Sequence, residues 1–172
     1  MSDDILKRSK QYFGKDSINK IKQSKVLLIG AGAVGNEIIK HLVLNNINEL
    51  TIVDSDKVQL SNLNRCVFFT KDDCNGIFKV DAIVKNIQKH LIDTKIIAYN
   101  KNIEDLDAEI WNVDAIICAV DNDYARYIIN YKWLSLGNDA PLLIDGALGN
   151  TFVKVKIYYP QDESCLLCSW SN

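Results

Sequence analysis

Apolar positions along this chain switch between two periods, and each switch marks an element. Residues 26–29 form a short unbroken apolar run of strand length. Ile38, Ile39, Leu42 and Val43 then recur with helix period, and residues 49–54 make a second strand ending in an acid. Val80, Ile83, Val84, Ile87 and Leu91 fall on one face of a helix predicted over residues 79–92. Residues 95–100 read as a third strand and 105–111 as a short helix. Residues 114–120 are almost wholly apolar, as a central parallel strand buried on both faces requires. A helix over 123–136 would turn Ala125, Ile128, Ile129 and Trp133 inward and stop at Gly137. Residues 141–144 are another strand. Residues 152–159 alternate strictly, Val153, Val155 and Ile157 against Lys154, Lys156 and Tyr158, as a half-buried antiparallel strand does. Ahead of all this, residues 3–24 are polar, with apolar positions Ile5, Leu6, Tyr12, Phe13, Ile18 and Ile21. Gly14 divides them into two short helical pieces.

The alternation of strand and helix predicts an α/β fold, a mostly parallel sheet with helices on both faces and an antiparallel strand near the carboxyl terminus. Its first unit carries a chemical signature. Between the first strand and first helix stands Gly30-x-Gly32-x-x-Gly35. Gly30 makes the tight turn, Gly32 lets backbone N–H groups approach a phosphate, and Gly35 lets the helix pack close to the strand. The helix amino terminus then faces the anion with its positive end. Asp54 ends the second strand 19 residues past Gly35, where a carboxylate can bind a ribose hydroxyl. The fold expected is therefore Rossmann-like and the ligand a nucleotide. Taken singly, Asp54 and Asp121 also suit strand-end acids that cap the next helix.

Bulk numbers narrow the setting. A chain of 172 residues fits one domain spanning 1–172, and 48% hydrophobic with 24% charged residues is an ordinary globular mix. The net charge of −2 gives no electrostatic footprint for nucleic acid or an anionic membrane. No apolar run is long enough to span a bilayer, and the first residues lack the layout of a signal peptide. Five irregularly spaced cysteines do not form a secreted disulfide framework, so the expected location is cytoplasmic.

The order of the remaining motifs is specific. After the glycine turn come Asp54-x-Asp56, Ser61-Asn62-Leu63-Asn64-Arg65, and Gly76 with Lys79 at the head of a helix. Ala119-Val120-Asp121-Asn122 with Ala125-Arg126, Gly146-x-x-Gly149 and Cys165-x-x-Cys168 complete the series. In this order they resemble the adenylation domain of the ThiF/MoeB/HesA family, which includes ubiquitin-activating enzymes. The resemblance implies ATP-dependent adenylation of the C-terminal glycine carboxylate of a ubiquitin-like or sulfur-carrier protein. It implies that Asp54 holds the ribose, that Asn62 and Arg65 reach the phosphates, that Lys79 bonds phosphate oxygens, and that Asp121 holds Mg²⁺. Asp56 is a second contact to ATP or Mg²⁺. Cys165 and Cys168 correspond to half of a structural Zn²⁺ site whose other pair lies further on, so the domain is expected to be cut short at its carboxyl-terminal end. A homodimer or heterodimer with a family member is implied as well. Cys66 stands where the family usually has Gln, Ile77 where it has Lys, and Lys10 where it has an arginine.

Two other functions share part of the pattern. The glycine turn and Asp54 also suit an NAD-dependent oxidoreductase, although that chemistry has no need of Asn62, Arg65, Lys79 and Asp121 together. The substitutions at Cys66 and Lys10 also suit a non-catalytic, nucleotide-binding or dimer-forming subunit. Cys118 is expected to be a buried strand residue and Cys74 an exposed loop thiol.

Overall fold

The computed structural model describes residues 5–90, 93–149, 151, 153–162 and 164–170. Two short helices, α1 (Lys7–Phe13) and α2 (Lys15–Gln23), lead in, separated at Gly14 with its φ of 85°. Then follow β1 (Lys25–Ile29), α3 (Ala33–Leu44), β2 (Glu49–Val53), α4 (Lys79–Ile87) and β3 (Lys95–Tyr99). The last part holds β4 (Ala115–Cys118), α5 (Asp123–Ser135), β5 (Leu142–Leu148) and β6 (Val153–Tyr158). The strands form one sheet in the order β3-β2-β1-β4-β5-β6. Every pair is parallel except β5–β6. This is the Rossmann-like architecture that the alternating pattern predicts.

Strand pleating sends alternate side chains to opposite layers. From β1, Val26 and Leu28 join Ile39, Val43, Val80 and Ile83 under α3 and α4. Leu27 and Ile29 join Ile129 and Trp133 under α5 on the other face. Burial of strand residues on both faces explains why β1 and β4 read as apolar runs. Registers Ile29↔Val53 and Ile29↔Cys118 bring the carboxyl ends of β2, β1 and β4 level. Gly30, Asp54 and Ala119 therefore leave the sheet along one edge, where ligands bind in open α/β folds.

The long segment between β2 and α4 is held by one buried acid. Asp73 has no accessible surface and accepts from the Thr70 backbone N–H at 2.8 Å, the Thr70 hydroxyl at 2.7 Å, Lys85 at 2.9 Å and Asn86 at 2.8 Å. Burial pushes its carboxyl up, but Thr70, Lys85 and Asn86 together outweigh it and bring the pKa down to about 2.

Two expectations are corrected. Residues 105–111 are not one helix but parts of two 3₁₀ turns, Ile103–Asp105 and Ala108–Trp111, because buried Leu106 between them takes an extended backbone. The α-helix predicted to residue 92 ends at Ile87 and continues as a 3₁₀ turn to His90; Leu91 and Ile92 lie outside the described residues. Residues 153–158 do alternate and pair antiparallel with β5, as predicted; the aliphatic side is the exposed one. Val153, Val155 and Ile157 are 71%, 67% and 46% exposed, while Tyr158 is fully buried. The α5 layer extends far enough to cover Tyr158, and α3 does not reach the opposite face of this edge strand.

Asp73 gives a stability prediction. Its folded pKa of about 2 lies below the ordinary 3.8. Its contribution is therefore complete above the unfolded value and is lost as pH falls through the folded one. Asp73→Ala should cost about 2 kcal/mol in urea unfolding at pH 7, since it orphans buried donors. The gap from wild type should narrow as pH drops toward 2; an unchanged gap would refute the assignment.

Candidate nucleotide-binding site

The glycine turn is built without room for carbon. Gly30 has a φ of 99°, and a Cβ there would lie 2.5 Å from the Ala119 carbonyl oxygen. A Cβ on Gly35 would lie 2.1 Å from the carbonyl oxygen of Gly30, so α3 starts directly against the turn. At Gly32 the outcome is the opposite: a Cβ would meet no protein atom within 4 Å, and this residue lines the open cleft. Asn36, fully buried in α3, donates to the carbonyls of Ala31 at 2.8 Å and Gly32 at 3.1 Å and accepts the Phe68 N–H at 3.1 Å. It ties the turn to the segment that carries Arg65 and Cys66.

Asp54 braces the same turn from β2. Its Oδ2 accepts the Ala31 N–H at 2.7 Å and its Oδ1 accepts the Asp56 N–H at 2.8 Å. The Lys79 ammonium lies 3.8 Å from Asp54 Oδ1 and 2.7 Å from Asp56 Oδ2. Burial pushes the Asp54 carboxyl above its usual range, against the pull of Lys79 and the two N–H groups. Lys79 is delivered by backbone pairing: its N–H donates to the Asp56 carbonyl at 2.8 Å, and Val58 N–H to Ile77 O at 2.9 Å. Asn62 spends its carbonyl oxygen on the Gln59 N–H at 3.0 Å, which leaves the amide N–H₂ as its offering to a ligand. The Arg65 guanidinium folds back on its own loop, donating to Ser61 O and to Asn64 Oδ1 at 2.9 Å.

The opposite wall follows β4. Ala119 and Val120 lead to exposed Asp121, and Asn122 caps α5 by accepting the Ala125 N–H at 2.8 Å. The walls enclose a cleft of about 480 Å³, within the range of small-molecule sites. Gly30, Gly32, Asp54, Asp56, Asn62, Arg65, Lys79 and Asp121 all line it; Gly35 sits beneath the turn. Sequence reasoning assigned no role to Lys101, Glu104, Tyr124 or Arg126, which also line it. Lys101 and Glu104 lie just past β3, and being at a strand's carboxyl end is the signal that marks them.

The cysteines are dispersed. Cys165 and Cys168 are outside the cleft, with their sulfurs 3.3 Å apart. Among the described residues no third His, Cys, Asp or Glu joins them as a metal ligand. Cys118 is fully buried, and burial with nearby Asp145 pushes its thiol up to about 12. Burial also raises the Cys66 thiol, outweighing adjacent Arg65. Cys74 is half-buried rather than exposed, because it packs against the α3/α4 core.

A glycine turn at the sheet edge, a strand-end acid with Lys79 beside it and Arg65 on the following loop line one open cleft of this α/β fold. Residues 6–172 match the ThiF family, and the chain belongs to it. The NEDD8-activating enzyme E1 catalytic subunit of Caenorhabditis elegans is 28% identical over 167 residues, covering 91% of this chain and 39% of that protein. The ubiquitin-activating enzyme E1-like protein of Saccharomyces cerevisiae is 37% identical over 142 residues, 79% of this chain and 21% of that protein. The chain thus spans well under half the length of these relatives. Among solved structures, E. coli MccB with succinimide superposes with a TM-score of 0.79 at 21% identity, over 95% of this chain and 51% of that one. No helix among the described residues is long and apolar enough to cross a membrane.

Thiol reactivity checks the electrostatics. At pH 8, alkylation of the native protein followed by mass spectrometry should label Cys74 and Cys168 at least tenfold faster than Cys66 and Cys118, whose thiolates burial disfavours. Equal labelling would contradict the described packing of Cys66.

Proposed function

We propose that this chain binds ATP and catalyses adenylation of the C-terminal glycine carboxylate of a ubiquitin-like or sulfur-carrier protein. The observation that carries the reading is the convergence of Arg65, Lys79 and Asp121 on one cleft beside the glycine turn. A carboxylate attacking an α-phosphate brings anion to anion, so the site must neutralise charge and hold an in-line geometry. No strong base is needed, and no Ser/His/Asp arrangement is called on. Membership of the ThiF family and likeness to activating enzymes of NEDD8 and ubiquitin support the substrate class.

On this reading the adenosine ribose sits at Asp54 and the phosphates lie across the amino terminus of α3. Arg65 exchanges its two intraloop acceptors for phosphate oxygen, and Lys79 exchanges Asp56. Asn62 donates its amide hydrogens. A carboxylate oxygen of the carrier forms the new bond to the α-phosphorus; the bond to the bridging oxygen breaks and pyrophosphate departs with that electron pair. Asp121 would hold Mg²⁺, a hard ion suited to an exposed carboxylate, which would neutralise the leaving group. Cys66 in place of the usual Gln removes a donor and acceptor beside Arg65. A structural Zn²⁺ at Cys165 and Cys168 would need two more ligands from outside the described residues. The pairing expected with a second family member belongs to the same proposal, and so does single-domain organisation over residues 1–172.

Titration calorimetry tests the reading. Mg·ATP should bind at least tenfold tighter than NAD. Asp121→Ala should abolish the Mg²⁺ enhancement of ATP binding but leave AMP binding intact, whereas Asp54→Ala should weaken ATP and AMP alike. Tighter binding of NAD would sink the adenylation reading. Equal loss of AMP binding in both variants would refute the division of roles.

A further inference from the structure

Arg126 and Asp145 form an ion pair sunk in the wall of the cleft. Their side chains are only 9% and 2% exposed. Arg126 Nε donates to Asp145 Oδ1 at 3.1 Å, and its Nη2 donates to two backbone carbonyls, Val120 at 2.7 Å and Gly146 at 3.3 Å. The two carbonyls belong to the ends of adjacent strands, β4 and β5. Val120 immediately precedes Asp121, and Gly146 begins the part of β5 that lines the cleft.

The topology explains why a guanidinium is needed there. Pairing of β4 with β5 ends at Cys118↔Asp145. Beyond that level β4 turns away toward Asp121, while β5 continues to Leu148 paired with β6. The ladder can no longer join the two chains. The Ala119 N–H is still fixed to Ile29 O at 2.8 Å, and Asn122 is fixed as the α5 cap. Val120 lies between these anchors, and Arg126 takes its carbonyl. A lysine would bring the charge without the planar fork that spans both carbonyls and the carboxylate. Asp145 in turn keeps the guanidinium in plane, because a buried carboxylate and a buried cation each need the other.

We propose that Arg126 is the positioning residue of this site: held by Asp145, it staples the turn that carries Asp121 to the end of the neighbouring strand β5. The consequence for metal and triphosphate rests on the role proposed above for Asp121; the staple itself does not. Arg126 touches no reacting atom. It sets the backbone from which Asp121 projects before nucleotide arrives, so that the carboxylate need not be ordered at the moment of binding.

The test uses two readouts on the whole chain. Hydrogen exchange of the nucleotide-free protein reports the turn directly, and calorimetry with AMP and with ATP, each with and without Mg²⁺, reports its consequence. Arg126→Gln combined with Asp145→Asn removes both charges and leaves neither buried alone; Arg126→Lys keeps charge without the fork and serves if the pair fails to fold. Either folded variant should exchange amides 119–122 at least tenfold faster than wild type. AMP affinity should stay within twofold, while the Mg²⁺ enhancement of ATP affinity falls at least tenfold. Unchanged protection of 119–122 in a folded variant overturns the staple. Faster exchange with an unchanged Mg²⁺ enhancement overturns its link to Asp121. If wild type binds ATP equally with and without Mg²⁺, the metal role of Asp121 fails, and exchange alone decides the staple.

Discussion

The whole site depends on a steric constraint where three chain segments meet. The turn after β1 lies against the carbonyl of Ala119 after β4, and α3 begins against the carbonyl of Gly30. Neither contact admits even one carbon, since a Cβ at Gly30 or Gly35 would sit 2.5 Å or 2.1 Å from an oxygen. A methyl group at either position would drive α3 or β4 away from the sheet edge. The same contacts aim the first turn of α3 at the cleft, because the helix axis can approach the strand only along this line. Asn36 and Asp54 then fix the turn by hydrogen bonds from opposite sides. Charge matters in this cleft only because packing has already set its floor.

Electrostatics over that floor is balanced internally. Lys79 lies between two carboxylates, and Arg65 rests on acceptors of its own loop. An isolated buried ammonium would be costly, so the fold places two carboxylates beside it. Asp54 shows the compromise most clearly. It must bond the Ala31 N–H to hold the turn, yet remain available at the cleft, and its carboxyl is pushed up by the burial that this entails.

How much of this the sequence disclosed depends on whether a feature is local. Strand runs, the glycine turn and the strand-end acids are set by neighbours a few residues away, so the sheet and residues on both walls of the cleft, Asp54 and Asp121 among them, were legible. Which face of β6 is buried was not legible, for a physical reason. Alternation distinguishes two sides of a strand but does not say which side a helix covers, and at this edge α5 covers the side bearing Tyr158. The inner face of α5 was read from its apolar residues. The helix in fact buries Arg126, Ile129, Asn130 and Trp133, a spacing of three, one and three that obeys the helical period once polar residues are allowed inside. Asn130 is buried because its carbonyl oxygen accepts the Leu166 N–H at 3.0 Å. Asp73 was equally hidden, since its partners at Thr70, Lys85 and Asn86 mean nothing until α4 folds back over the loop.

The cleft also divides its labour by stiffness. Asp54 leaves directly from the end of β2 and is fixed by two backbone N–H groups. Asp121 follows β4, on a turn pinned by Ile29 O at one end and by the Asn122 cap at the other. Acids are thus mounted on the sheet, with short side chains and few rotamers. Arg65 stands on the segment between β2 and α4 and Lys79 opens α4, each on a long side chain already bonded elsewhere. For the proposed chemistry this allocation is the favourable one. Ribose and a metal ion demand fixed oxygen positions, whereas phosphate oxygens change charge and position during the transfer and are best followed by groups that can move. Reversing it would place long, mobile carboxylates at a metal and rigid cations against a moving phosphate. It would also bury the cations in the sheet, where each would need a permanent counterion that phosphate could not displace.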